Sequence, residues 1–294
     1  MRPTLLTLVL AALAGGFPAA LAAAPGAKWR AWGQMPPPAA PAGTRSDNTA
    51  AAMTRLRLEG RAPLYQARAD NLLAGPVQVQ LRPRRDSPLI ATPALPLQAV
   101  LPAGASRILA RLQTAAENPG DAIELVLDAV PGDPAARPQP HRYLLPFAAG
   151  RIRVDQGYGG RLSHDDEQNR YAVDFALPEG TPVLAARAGT VMQVRDGDDG
   201  QANFIRILHE DGGMAVYAHL QPGGVQVGNG QTVAAGQRIG LSGNSGRSTA
   251  PHLHFAVQAN TGLRLESIPF RMLSARGELH FARDEPATGR ATAP

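Results

Sequence analysis

Between Thr181 and Gln258 the sequence is cut into short apolar runs fenced by glycine or proline, and it nowhere sustains the period of a long amphipathic helix. The runs are Thr181 to Ala186, Gly189 to Val194, Phe204 to Leu208, Met214 to Leu220 and His252 to Gln258. A chain of this kind must satisfy its backbone polar groups through antiparallel strands and tight turns. A faint internal echo supports this: Gly180-Thr-Pro-Val-Leu-Ala-Ala-Arg-Ala-Gly189 resembles Gly230-Gln-Thr-Val-Ala-Ala-Gly-Gln-Arg-Ile-Gly240, each a glycine-bounded hairpin arm. A second set of short runs lies upstream. Val77, Val79 and Leu81 alternate with Gln78 and Gln80, and Ile123, Leu125 and Leu127 repeat the spacing, which predicts half-buried strands of a small β-sandwich. The Pro- and Gly-rich stretch Pro131 to Pro140 marks the boundary. The fold expected is mainly β, with an accessory sandwich-like domain over 53–146 and a second antiparallel β domain over 147–283.

The ends of the chain read differently. Arg2, the apolar run Leu5 to Leu13, and the small residues Ala20 and Ala22 form a signal-peptide pattern over 1–22. The run is too short for a transmembrane anchor and is broken by Gly15, Gly16 and Pro18. Export to the periplasm or cell envelope, or to the outside of the cell, is therefore expected, with no integral membrane span once the leader is cleaved. Residues 23–52, which include the Pro/Ala-rich stretch Pro36 to Gly43, read as an extended lead-in, and 284–294 as a disordered tail. The chain has no cysteine, so neither a lipid attachment at the cleavage site nor a disulfide framework is available. The net charge of +5 comes almost wholly from arginine, Lys28 being the only lysine. These arginines are scattered and aromatics make up only 5%, a pattern that speaks against nucleic acid and suits an anionic envelope.

Chemistry concentrates in the second half, where His164, His209, His219, His252 and His254 fall within one domain. On a strand, His252, His254 and Ala256 share a face while Leu253, Phe255 and Val257 point to a core. Asp174 is flanked on its own face by Ala172 and Ala176, which leave room beside the carboxylate. The same alternation in Val216-Tyr217-Ala218-His219-Leu220 predicts that His219 and Tyr217 share a face. Hydrolytic zinc sites take three nitrogen or oxygen ligands and keep a fourth position for water. His164, Asp174 and one histidine of the 252/254 pair would supply such a set.

In order along the chain stand Ser163-His164, Tyr171-Ala-Val-Asp174-Phe175, Pro178-Glu-Gly-Thr-Pro-Val183, Gly189-Thr-Val191, Tyr217-Ala-His219-Leu220, Gly236-Gln-Arg-Ile-Gly240, Ser242-Gly-Asn244-Ser-Gly246 and Pro251-His-Leu-His254-Phe255. This ordered set resembles the lysostaphin-like or LytM-type zinc metalloendopeptidases that act on peptidoglycan. The resemblance implies an antiparallel sheet of the duplicated hybrid motif type and one zinc ion per chain held by His164, Asp174 and His254. It also implies that His219 and His252 form a second, catalytic pair, and that the substrate is the peptide stems or cross-bridges of peptidoglycan. One departure is the long excursion from Asp165 to Val173 between the first two ligands, longer than the family's usual spacing. Lengthening a loop adds little closure entropy, so convergence is still expected.

Other readings of the same residues are weaker. His209 is the substitute ligand should His164 not reach, although a structural histidine before the Glu210-Asp-Gly-Gly213 turn is the simpler expectation; His141 and His280 fall outside the motifs. A non-catalytic wall-binding scaffold, or activator of another hydrolase, would be expected to have lost some of the ligand positions. A lipoyl or biotinyl carrier needs a lysine at a hairpin tip, and Lys28 lies just after the leader. A plain adhesin leaves the histidine motifs unexplained. Arg82, Arg84 and Arg85 read as a solvated loop rather than a polymer-binding patch.

Overall fold

The computed structural model describes residues 53–84, 89–114, 123–148, 152–274, 277–279 and 281. The expected leader, lead-in and tail lie outside the described residues, as do Arg85 and His280. Among the described residues no helix is long and apolar enough to cross a membrane. The architecture is mainly β, as the short fenced runs require.

Seven strands form the N-terminal part: β1 (Thr54–Arg61), β2 (Leu64–Asn71), β3 (Val77–Pro83), β4 (Leu89–Thr92), β5 (Leu97–Leu101), β6 (Ser106–Thr114) and β7 (Leu125–Pro131). They make two antiparallel sheets, ordered β1-β2-β6-β4 and β5-β3-β7. Val77, Val79 and Leu81 are fully buried and meet Ala67, Ala69, Leu109 and Leu112 in one core. Gln78, on the opposite face of β3, is buried as well: its Oε1 accepts a hydrogen bond from the Leu263 amide at 2.7 Å.

The chain then enters the second core through β8 (Arg142–Leu144), whose Tyr143 is buried there, so this core begins before residue 147. β8 pairs in parallel with β19 (Arg271–Ser274), which pairs antiparallel with β20 (Gly277–Leu279). The remaining strands are β9 (Val154–Gln156), β10 (Val173–Ala176), β11 (Pro182–Leu184), β12 (Gly189–Arg195), β13 (Asn203–Leu208), β14 (Met214–Val225), β15 (Thr232–Val233), β16 (Arg238–Ser242), β17 (His252–Asn260) and β18 (Leu265–Ser267). They build a 10-stranded sheet along the path β15-β12-β13-β14-β17-β10-β9, with β11, β16 and β18 attached off it. Its strand pairs are antiparallel throughout.

The internal echo has a structural meaning. Pro182 and Val183 pair with Leu241 and Gly240, while Thr232 and Thr190, and Val233 and Gly189, pair in turn, so each arm of one repeat closes on the end of the other. Gly180 and Gly230 occupy the matching turns at φ 78° and 83°, a left-handed conformation that only glycine adopts without strain.

One face of the large sheet carries Val173, Phe175, Ile205, Ile207, Tyr217, Leu253, Phe255 and Val257 into the second core. Alternation sends the other residues of the same strands to the opposite face. On that face Met192 and Met214 are buried in the N-terminal core and Leu208 packs against it, so the sandwich is seated on one end of it. The remainder of that face holds the histidines.

Candidate metal centre

Register brings the acidic residue and the histidines together. Asp174 pairs with His254 and Ala176 with His252 across β10 and β17, while Ala218 of β14 pairs with His254 from the other side. As alternation predicts, Leu253, Phe255 and Val257 fill the core and the two histidines of β17 face away from it. The ligand atoms of His164, Asp174 and His254 all lie within 4.8 Å of one another, a spacing that one small cation can bridge. His254 Nδ1 is 2.9 Å and His164 Nε2 3.3 Å from the same oxygen, Asp174 Oδ1.

The excursion from Asp165 to Val173 does not keep His164 away, because its middle is closed on itself and tied back to Ser267. Asp166 accepts hydrogen bonds from the Asn169 amide and side chain, and Ser267 binds the Glu167 carbonyl through its amide and hydroxyl. His164 itself is fully buried. Its Nδ1 lies 2.8 Å from the Gly157 carbonyl, which can only accept, so the ring proton sits on Nδ1 and Nε2 presents a lone pair. That buried Nε2 has no hydrogen-bond partner. An orphaned buried acceptor normally requires an explanation, and a cation is the one this donor set fits. Two imidazoles and a carboxylate are the ligands of a hydrolytic zinc site.

Electrostatics accord with this set. Burial opposes ionisation of Asp174, yet the facing imidazoles of His164 and His254 hold its carboxyl well below the ordinary carboxylate range. Burial likewise opposes protonation of His164, but the Asp174 carboxylate outweighs it and raises the imidazole. A site that keeps its carboxylate ionised while drawing a proton onto a facing imidazole also attracts a cation.

His219 arrives by a route that simple alternation missed. The expectation that Tyr217 and His219 share a face is wrong: Tyr217 is buried in the core, and its hydroxyl accepts a hydrogen bond from the Ala186 amide at 2.8 Å. The register of β13 against β14 shifts between Asn203↔Leu220 and Phe204↔Ala218, leaving His219 as the extra residue of a bulge at φ 62°. A bulge re-aims one side chain at the cost of a strained backbone. Here it turns His219 towards the other imidazoles, with its ring centroid 4.5 Å from that of His252 and 5.9 Å from that of His254. Its Nδ1 is 2.7 Å from the Ser245 carbonyl. Burial, then the neighbouring His254 and His252, bring its pKa down to about 4. The His252 ring is held through Nδ1 by the Ala250 carbonyl at 2.8 Å and Ser248 Oγ at 3.0 Å, and its Nε2 faces Asp174 Oδ1 at 3.8 Å.

His209, the reserve ligand, takes no part. Its Nδ1 is 2.9 Å from the Ala188 carbonyl, and its ring packs against Tyr143.

Three supporting residues were missed. Gln156 Nε2 donates to Asp174 Oδ2 at 3.1 Å and to Ser163 Oγ at 2.7 Å, while its Oε1 accepts from the Leu162 amide at 2.9 Å. This leaves Asp174 Oδ1 free to face the histidines. A Cβ at Gly160 would lie 2.2 Å from Gln156 Cγ, so only glycine fits beside that pinned side chain. Ser245 fixes the bulge from above: its Oγ donates to the Leu220 carbonyl and accepts from the Asn203 amide, at 2.6 and 2.9 Å. For Ser245, the run Ser242-Gly-Asn-Ser-Gly246 was a visible signal. For Gln156 and Gly160 there was none.

The fold and the three-ligand cluster define a β-sheet domain of the metallopeptidase kind. Residues 168–264 match the model of Peptidase family M23, so this part of the chain is a Peptidase M23 domain. The match takes in Asp174, His219, His252 and His254, and His164 lies just upstream. Among relatives, the peptidoglycan DD-endopeptidase ShyA of Vibrio cholerae is 46% identical over 84 residues, 29% of this chain and 19% of that protein. The glycyl-glycine endopeptidase ALE-1 of Staphylococcus capitis is 41% identical over 106 residues, 36% of this chain and 29% of that protein. The chain thus spans less than a third of the length of either. Among solved structures, lysostaphin from Staphylococcus simulans aligns at 37% identity over 38% of this chain and 44% of that one, with a TM-score of 0.32.

Proposed function

We propose that the chain is an exported, zinc-dependent endopeptidase that hydrolyses peptide cross-links of bacterial peptidoglycan, with His164, Asp174 and His254 as metal ligands and His219 and His252 as catalytic residues. The observation that carries this reading is the buried, unpartnered Nε2 of His164 beside Asp174 Oδ1 and His254 Nδ1, with two further imidazoles turned onto the same spot. When bound, zinc acidifies water towards a pKa of about 7 and polarises a scissile carbonyl.

The chain's own residues divide the remaining work. His219 and His252 each commit Nδ1–H to a backbone carbonyl, which leaves Nε2 as the acceptor in the neutral ring. With its pKa brought down to about 4, His219 is neutral at pH 7, so its Nε2 lone pair is available to accept a hydrogen bond from water at the metal. Once protonated, either ring can deliver a proton to the leaving amine or donate to the developing oxyanion. Gln156 holds Asp174 in one orientation, so the ligand set is built before substrate arrives. Relatives named as peptidoglycan DD-endopeptidase and glycyl-glycine endopeptidase support the substrate class. The N-terminal sandwich, taken as an accessory domain over 53–146, positions substrate or partly covers the groove.

Digestion of purified sacculi by the mature protein, with and without chelator, tests the reading by mass analysis of the fragments. New peptide amines that disappear with chelator are expected. New reducing sugar ends, or intact sacculi together with a zinc-free protein, would replace it with glycan cleavage or a wall-binding scaffold.

A further inference from the structure

Arg206 stands out on the face that carries the metal centre. It lies at the middle of β13, between Ile205 and Ile207, which point into the core, so its own side chain belongs to the opposite face. Register links it to the site: Arg206 pairs with Val216, Val216 with Ala256, and Ala256 is two residues along β17 from His254. Its Nη1 donates to Gln193 Oε1 at 2.9 Å and its Nη2 to Gln258 Oε1 at 3.3 Å. Both glutamines are buried, and Gln258 is held in turn by the Gln168 carbonyl of the 165–173 excursion.

The guanidinium is therefore fixed, but its charge is not answered. Among the described residues no carboxylate pairs with Arg206, and its Nε is sealed from solvent with no acceptor. Burial lowers its pKa to about 10, which still leaves a full positive charge at neutral pH. The residue nevertheless keeps part of its surface open, so it borders solvent instead of lying wholly inside a core. Immediately beyond it on the same face, Leu208 and Met214 pack against the N-terminal sandwich, which covers this face of the sheet beyond Arg206. Phe204, whose ring lies 5.8 Å from the guanidinium carbon, fills the side towards the histidines.

A desolvated cation that retains unused donors favours a planar anion, and a carboxylate accepts such a fork in two parallel hydrogen bonds. Because the sandwich stops a chain from running on past Arg206, the end of a peptide fits there better than its middle. We propose that Arg206 is a substrate-positioning residue that binds the terminal carboxylate of a peptide lying across the metal centre. The inference rests on the peptide-hydrolase reading of the neighbouring site. Register puts the Arg206 Cα two strands across and two residues along from His254, roughly 12 Å away, the length of about three to four extended residues. The carboxylate it takes is therefore that of a short stem ending about three to four residues from the cut.

The test uses the zinc-loaded full chain and a fluorescent tetrapeptide, as the free acid and as its carboxamide twin, with binding read by anisotropy before turnover and cleavage read separately by mass. The acid should bind roughly 10- to 100-fold more tightly than the amide. Arg206→Gln should erase that preference with the amide's affinity unchanged, and Arg206→Lys should keep part of it. In the wild-type protein the Arg206 Nε–H resonance should shift with the acid and not with the amide, a readout that survives should the glutamine variant fail to fold. Equal affinities for acid and amide, or a preference that persists in Arg206→Gln and so belongs to the metal, would overturn the assignment. A retained preference in wild type without any cleavage would instead remove the endopeptidase reading and leave the carboxylate site standing.

Discussion

His164 and His209 are the two most deeply buried histidines among the described residues, at 0% and 2% exposure. Each gives Nδ1–H to a backbone carbonyl, Gly157 in one case and Ala188 in the other, and each has a sealed Nε2 without a partner. They differ in what stands across from that nitrogen. His164 faces the Asp174 carboxylate at 3.3 Å, which raises its pKa against the effect of burial. For His209 burial dominates; the Ala188 carbonyl and Asp211 offset only part of it, Arg187 adds to it, and the pKa falls to about 4. In the reading proposed above, the orphaned nitrogen that faces an anion is the metal ligand, while the one without an anion across from it belongs to a packed neutral ring.

The largest effect that sharpens this contrast is expected at the pair outside the ligand set. His219→Ala and His252→Ala should each lower kcat by roughly 10²- to 10⁴-fold, the usual span of general acid–base help, while the zinc content measured by metal analysis stays near that of the parent. A loss of zinc equal to that of His254→Ala would merge the two pairs into one. A smaller effect is expected from Gln156→Ala, which frees Asp174 Oδ2 and should weaken zinc affinity about 10- to 100-fold in a competition titration. Asp174→Asn removes the charge itself and should weaken it further; unchanged affinity in that variant would exclude Asp174 as a ligand.

The smallest effect concerns pH and breaks the comparison from the other side. Because the folded pKa of His209 lies below the unfolded value of about 6.5, its contribution to stability is complete above that value and is lost as pH falls towards about 4. The loss is on the order of 3 kcal/mol. In His209→Gln the fall in unfolding free energy between pH 6.5 and 4 should be shallower than in the parent by up to that amount, with zinc binding intact. Identical pH slopes would mean that His209 is not held neutral.

Much of this arrangement was legible in the chain. The runs Phe204 to Leu208 and His252 to Gln258 became β13 and β17, because alternation is a local property that each strand carries in its own sequence. The same locality put His252 and His254 on one face. It failed at His219, where one extra residue in the ladder inverted the alternation, and nothing in Tyr217-Ala-His-Leu announces a bulge. It also could not supply Gln156 or Arg206, whose importance comes from neighbours distant in the chain. Arg206 reads as an ordinary outward position of a strand until Gln193, Gln258 and the seated sandwich surround it. The meeting of Asp174 with one histidine of the 252/254 pair was expected from the residues themselves, whereas the choice of His254, 80 residues away, came only through family resemblance, since register between distant strands is set by the whole sheet.

The most direct measurement is the zinc stoichiometry of purified wild-type, His164→Ala and His209→Ala proteins after dialysis against a weak chelator. We expect close to one zinc per chain in the wild type and in His209→Ala, and almost none in His164→Ala. Full zinc in His164→Ala, or its loss in His209→Ala, would contradict the assignment of the carboxylate-facing imidazole as the ligand.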